Sequence, residues 1–164
     1  MKIIAFCGSQ SAGKSTAADI LVSKGFARTS FAESIYQMLS ALLGVNVRTL
    51  DKQSYGLCGR TIRQMLQLLG TEWGREQIGQ DIWVEAMRKR LGHGGYWVID
   101  DLRFTNEYRM LRELGASVVL LTRPGCICDN AHASETEWQY FMPSVVVDNY
   151  GDLADFKTKI LNLL

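Results

Sequence analysis

The chemistry of this chain concentrates first in one short run, Gly8, Ser9, Gln10, Ser11, Ala12, Gly13, Lys14 and Ser15. Glycines at its first and sixth positions, followed by lysine and a hydroxyl residue, fill every fixed position of the Walker A phosphate-binding pattern. The apolar run Ile3 to Cys7 leads into it and a helix-compatible run, Thr16 to Val22, leaves it. Glycine permits the backbone angles that turn consecutive N–H groups and a helix N-terminus toward phosphate oxygens. Gly8, Ser11, Ala12, Gly13, Lys14, Ser15 and Thr16 are therefore the candidate ATP cradle, with Lys14 on the β- and γ-phosphates and the Ser15 hydroxyl on Mg²⁺. The competing reading is a glycine-rich turn with no ligand.

A phosphate cradle alone does not identify what receives the phosphoryl group. An acceptor that is itself a phosphate monoester is already ionised at neutral pH, so it calls for cations rather than a base. Arg60 and Arg63 stand three apart in a segment whose apolar positions are Ile62, Met65, Leu66 and Leu69, and they share its polar side with Gln64 and Gln67. Read as one helix from Gly59 to Leu69, that side grips a phosphate bidentately and leaves amides for a sugar or base edge. A solvated helix face describes the same residues. A second constellation follows the run Tyr96 to Asp100: Asp100, Asp101, Arg103, Asn106 and Glu107. An apolar run ending in acid is the Walker B arrangement, and successive strand residues face opposite ways, so the two aspartates divide the work. One serves the metal, with Asp100 the candidate ligand beside Ser15, and the other joins Arg103 and Glu107 on the acceptor. Capping of the next helix is the alternative.

These residues require a frame. Strand-like runs Lys2 to Cys7, Phe26 to Phe31, Tyr96 to Asp100, Ser117 to Thr122 and Ser144 to Val147 alternate with helical patterns. The helical patterns run over Lys14 to Ser23, Ala32 to Leu43, Gly59 to Leu69, Asp81 to Leu91, Asn106 to Leu114, His132 to Phe141 and Asp152 to Leu163. The expectation is an α/β, P-loop fold with a largely parallel five-stranded sheet flanked by helices. One domain of 164 residues accommodates it, with 32–91 as a helical insertion over one end of the sheet. The stripe Leu153, Phe156, Ile160 and Leu163 either covers the sheet or meets a second subunit, as in a homodimer.

Eighteen basic against seventeen acidic residues give a charge of +1, which does not fit a nucleic-acid polymer as partner. Five apolar residues after Lys2 are too few for a signal peptide or membrane span, and four cysteines are too few for a disulfide framework. A soluble, cytoplasmic protein is expected. Cys126, Cys128 and His132 permit a zinc reading that lacks a fourth ligand, and Glu135 has no evident chemistry.

The chain resembles the deoxynucleoside monophosphate kinases found notably in bacteriophages. The carriers are GSQSAGKST from Gly8, SFAES from Ser30, RTIRQMLQLLGTEWGREQIGQDIWV from Arg60, VIDDLRFTNE from Val98, HASE from His132 and VVDN from Val146. More distantly this set is similar to dephospho-coenzyme A kinase and phosphomevalonate kinase. The resemblance implies that Asp101, Arg103 and Glu107 contact an acceptor deoxynucleotide and that Trp83 lies against its base or sugar; read without it, Trp83 is a core aromatic. It implies phosphate handling by Arg60, Arg63 and Arg75, the last of which also suits a surface ion pair with Glu72. It makes 32–91 the acceptor-binding part and 123–135 a lid carrying Arg123 toward the donor nucleotide, with action in the host cytoplasm for a phage-encoded enzyme. Relatives often carry a lysine where this chain has Ile35, Tyr36 and Gln37, and a small polar residue where it has Asp100. The other readings are a P-loop kinase of another phosphorylated acceptor and a non-catalytic nucleotide-binding switch.

Overall fold

A computed structural model describes residues 1–125 and 137–164. Its sheet has strands β1 (Lys2–Cys7), β2 (Ala27–Thr29), β3 (Tyr96–Ile99), β4 (Ser117–Thr122) and β5 (Val145–Asp148) in the order β2-β3-β1-β4-β5. All neighbours are parallel, with Ile4 opposite Val98 on one side and Ser117 on the other. Parallel strands need crossover connections, and a strand covered on both faces must be apolar throughout. That is why Ile3 through Cys7 of the central strand are all buried.

The helices are α1 (Lys14–Val22), α2 (Glu33–Leu43), α3 (Ile62–Gln67), α4 (Ile82–Leu91), α5 (Thr105–Glu113) and α6 (Leu153–Leu161), with a π-helix over Leu68–Ile78. Short 3₁₀ turns occupy Val47–Thr49 and Glu137–Tyr140. The chain divides into two compact units, 1–30 with 90–164, and 31–89. In the first, Ala17, Ala18 and Leu21 of α1 and Phe156 and Ile160 of α6 pack with Ile4, Phe6, Val98, Val119 and Leu121 of the sheet. The stripe on the last helix therefore covers the sheet at Phe156 and Ile160, while Leu153 stays exposed.

In the second unit Leu39, Val47 and Ile62 form a small core with Tyr36, Leu43, Leu50, Met65, Leu66 and Leu69 around it. Two sequence expectations change here. The helix expected from Gly59 starts only at Ile62, because Cys58 and Gly59 both take positive φ and close a turn in which Arg60 N–H donates to Leu57 O at 3.1 Å. Thr61 then caps the helix, its Oγ1 accepting from Gln64 N while Gln64 Oε1 accepts from Thr61 N at 2.9 Å. The second change is that the chain runs from α3 straight into the π-helix, where the expected helix ended at Leu69. Trp83 Nε1 donates to Gly70 O at 2.8 Å, and a Cβ on Gly74 would stand 2.4 Å from the Trp83 ring. The widened turns accommodate that side chain.

The remaining elements lie within a few residues of expectation. β2 is the largest shortfall, since Ser30 and Phe31 leave the sheet. Of the helix expected over His132 to Phe141, residues 137–141 belong to the described residues, and Glu137–Tyr140 form a 3₁₀ turn there. Cys126, Cys128, His132, Glu135 and most of the expected lid lie outside them.

Candidate active site

The loop between β1 and α1 is shaped by three left-handed residues, Gly8 at φ 130°, Ser11 at 65° and Gly13 at 107°. Gly8 is doubly constrained, because a Cβ there would stand 2.3 Å from the carbonyl oxygen of Leu121 in β4. Lys14 folds back over the loop and donates from Nζ to the carbonyls of Gly8 and Ser9, both at 2.7 Å. Asn149, just past β5, donates from Nδ2 to Ala12 O at 3.0 Å. Arg123, at the end of β4, reaches the same loop, its Nη1 3.4 Å from Ser11 O. Ala12 is buried, while Ser15 and Thr16 open the helix and face solvent.

Next to this loop the end of β3 brings up a carboxylate. Ser15 donates from Oγ to Asp100 Oδ2 at 3.3 Å. The Asp100 side chain is only 11% exposed, and its charge is met by Arg28 of β2, whose Nη2 donates to the same Oδ2. The other arm of Arg28, Nη1, bonds Asp19 of α1 at 2.7 Å. Burial works against the guanidinium charge, but the hydrogen bond and charge of Asp100, with Asp19 and Asp101, outweigh it and hold Arg28 above its ordinary range. Arg28 stands opposite Val98 in the sheet, two residues before Asp100, so strand alternation carries both side chains to the face that α1 covers.

Beyond Asp100 the chain turns into α5. Asp101 is half-buried and Arg103 exposed. Glu107 is 2% exposed, and its Oε2 accepts from the backbone N–H of Arg103 at 3.0 Å and of Phe104 at 3.1 Å. Glu107 thereby shapes the turn that carries Asp101 and Arg103.

The candidates of the other unit are arranged differently from the helical face expected. Arg60 sits in the turn ahead of α3 and only Arg63 is on the helix; both are exposed. Gln64 is committed to the cap. Arg75 is half-buried and donates from Nη1 to Gln80 O at 3.2 Å. Trp83 is 4% exposed, with its indole N–H bonded to Gly70 O and its ring 6.3 Å from that of Trp73. It packs as a buried aromatic within its unit.

Sequence reading assigned no role to Arg28 or Asn149. The available signals were weak: an arginine inside a short strand, and an asparagine after an acid at a strand end. Among the described residues no three His, Cys, Asp or Glu side chains group into a metal site. The oxygens of Ser15 and Asp100 nevertheless suit a hard cation that keeps most of its waters and takes its other ligands from phosphate. No described helix is long and apolar enough to cross a membrane.

Comparison with known proteins places the chain. Residues 59–160, more than half of it, match the family model for deoxynucleotide monophosphate kinase. A relative from Acanthamoeba polyphaga mimivirus, assigned to the same kinase, is 28% identical over 99% of this chain and 95% of its own. The deoxynucleotide monophosphate kinase of Enterobacteria phage T4 is 27% identical over 63% of this chain, spanning 45% of that protein. The deoxynucleoside-5'-monophosphate kinase of Escherichia phage T5 is 42% identical over 31% of this chain and 21% of its own. Among solved structures, dephospho-CoA kinase from Campylobacter jejuni superposes with a TM-score of 0.57 at 15% identity, over 99% of this chain and 96% of that one. TT1252 from Thermus thermophilus gives 0.52 at 16% identity, over 99% and 95%. These two likenesses speak for the fold alone, and together with the P-loop and the family match they lead to one assignment: the chain belongs to the deoxynucleotide monophosphate kinase family.

Proposed function

We infer that this chain transfers the γ-phosphoryl group of ATP to the 5'-phosphate of a deoxynucleoside monophosphate, releasing ADP and a deoxynucleoside diphosphate. The observation that carries the reading is the meeting of Ser15 Oγ and Asp100 Oδ2 at 3.3 Å beside the loop crossed by Lys14. In the ATP-bound enzyme the Lys14 ammonium exchanges its two carbonyl partners for β- and γ-phosphate oxygens, and backbone N–H groups of Gly8 to Thr16 cradle the rest. Ser15 and Asp100 would hold Mg²⁺, which when bound would neutralise charge on the phosphates. Arg123 adds a cation on the donor side. Arg60, Arg63 and Arg75 are assigned to the acceptor phosphate, where guanidinium groups suit phosphate geometry, and Asp101 and Arg103 to the acceptor nucleotide. Electrostatic positioning then supplies most of the catalysis, since the acceptor needs no base. The enzyme acts in the cytoplasm, where ATP and its acceptors are found.

The test is coupled ADP release from ATP and Mg²⁺ with each of the four deoxynucleoside monophosphates, their ribose counterparts, dephospho-coenzyme A and phosphomevalonate. Turnover with one or more deoxynucleotides is expected. Turnover confined to a coenzyme precursor, or absent altogether, would remove the acceptor assignment while leaving the ATP cradle in place.

A further inference from the structure

One oxygen, Asp100 Oδ2, accepts from both Ser15 and Arg28. Arg28 is also tied to Asp19, which lies one helical turn after Ser15 on α1, so the planar guanidinium bridges the helix and the end of β3. A fork fixed at both ends leaves the Asp100 carboxylate little freedom to rotate away from Ser15. It also leaves a positive charge resting on the oxygen that a divalent cation would approach. Without Arg28, the carboxylates of Asp19 and Asp100 would lose the guanidinium that joins them.

We propose that Arg28 is a positioning residue that presents Asp100 to Ser15 and, as a resident cation on Asp100 Oδ2, keeps a divalent metal from settling there until the nucleotide's phosphates arrive. The proposal rests on the assignment of Asp100 to the metal. Placing a dication against a guanidinium is unfavourable unless further negative charge comes with it, and the polyphosphate brings that charge. Metal therefore enters with ATP, and the nucleotide-free site stays closed to it.

The experiment titrates the nucleotide-free chain with Mn²⁺, reading free ion by electron paramagnetic resonance, and repeats the titration with ATP present. Arg28→Gln is expected to bind Mn²⁺ about fivefold or more tightly than the unaltered chain without nucleotide, the effect of removing one partly screened charge. Arg28→Lys keeps the charge but cannot span both carboxylates, so its Mn²⁺ affinity stays low while kcat falls several-fold at little change in the KM for ATP. Asp100→Asn in the Arg28→Gln background is expected to cancel the gain. Thermal unfolding reports whether each variant folds; if Arg28→Gln does not, the separation of affinity from kcat in Arg28→Lys decides. No tightening in a folded Arg28→Gln, or tightening that survives Asp100→Asn, overturns the proposal alone. Unchanged Mn²⁺·ATP binding in Asp100→Asn overturns it together with the metal assignment beneath it.

Discussion

Asn149 holds the phosphate-binding loop from the far end of the chain, its Nδ2 donating to Ala12 O at 3.0 Å across 137 residues of sequence. The same residue ties its own backbone to the sheet, N–H to Thr122 O at 2.8 Å. Losing one such part-buried bond costs about 1 kcal/mol. Asn149→Ala is expected to raise the KM for ATP several-fold with a small loss of stability, measured by steady-state kinetics and urea unfolding. A variant with unaltered ATP kinetics would show that the loop holds its shape unaided.

Gly8 admits no side chain. Its φ of 130° is strained for any L-residue, and a Cβ would overlap Leu121 O at 2.3 Å. The strain alone is worth about 1–3 kcal/mol, and the overlap must push β4 from β1. Gly8→Ala is expected to unfold at markedly lower denaturant and to lose ATP binding, read by chemical denaturation and nucleotide titration.

Lys14→Ala removes the charge that the proposed mechanism assigns to the transferring phosphoryl group. Turnover is expected to fall by about two to three orders of magnitude, as for other charge-stabilising donors, with the melting temperature close to that of the unaltered chain. Comparable turnover would remove the P-loop mechanism.

Glu107 distinguishes two roles. Its buried carboxylate accepts from two backbone N–H groups, so Glu107→Ala leaves both without that partner and should cost about 1–3 kcal/mol for each left unsatisfied. Glu107→Gln keeps an accepting oxygen and is expected to recover much of that stability. If Glu107→Gln instead folds like the parent yet loses acceptor binding, the side chain touches the substrate directly.

Cys7 carries a pH signature. Burial pushes its thiol from 9.0 up to about 12, with Lys14 and a backbone hydrogen bond pulling weakly the other way. A group whose folded pKa is raised gives stability that is complete below its unfolded pKa and lost as pH rises toward the folded one. Between pH 9 and 12 the advantage of the unaltered chain over Cys7→Ala should therefore shrink by about 1.4 kcal/mol per pH unit. Native alkylation at pH 8 should label the exposed Cys58 and spare Cys7.

The frame was legible because its signals are local and repeated. A continuous apolar strand, a glycine-rich turn and a helix occur together only in a few arrangements, and β1, α1 and β4 begin and end within a residue of expectation. The start of α3 was missed although Thr61 and Gln64 spell out a capping box, because Arg60 and Arg63 suggested a continuous helical face. The π-helix left no local mark either: it depends on Trp83 packing against Gly70 and Gly74, thirteen and nine residues away.

What the sequence determined by itself is the donor chemistry. The backbone conformation of a P-loop is encoded in adjacent residues, so Lys14 and Ser15 are placed by their neighbours. Tertiary structure alone decided what surrounds them. Arg28 reaches Asp100 only because β2 pairs with β3 in one register, and Asn149 reaches Ala12 only because β4 and β5 bring it across the sheet. Hydrogen bonds and ion pairs act over about 3 Å, and no pattern along the chain records which distant residues the sheet will bring that close.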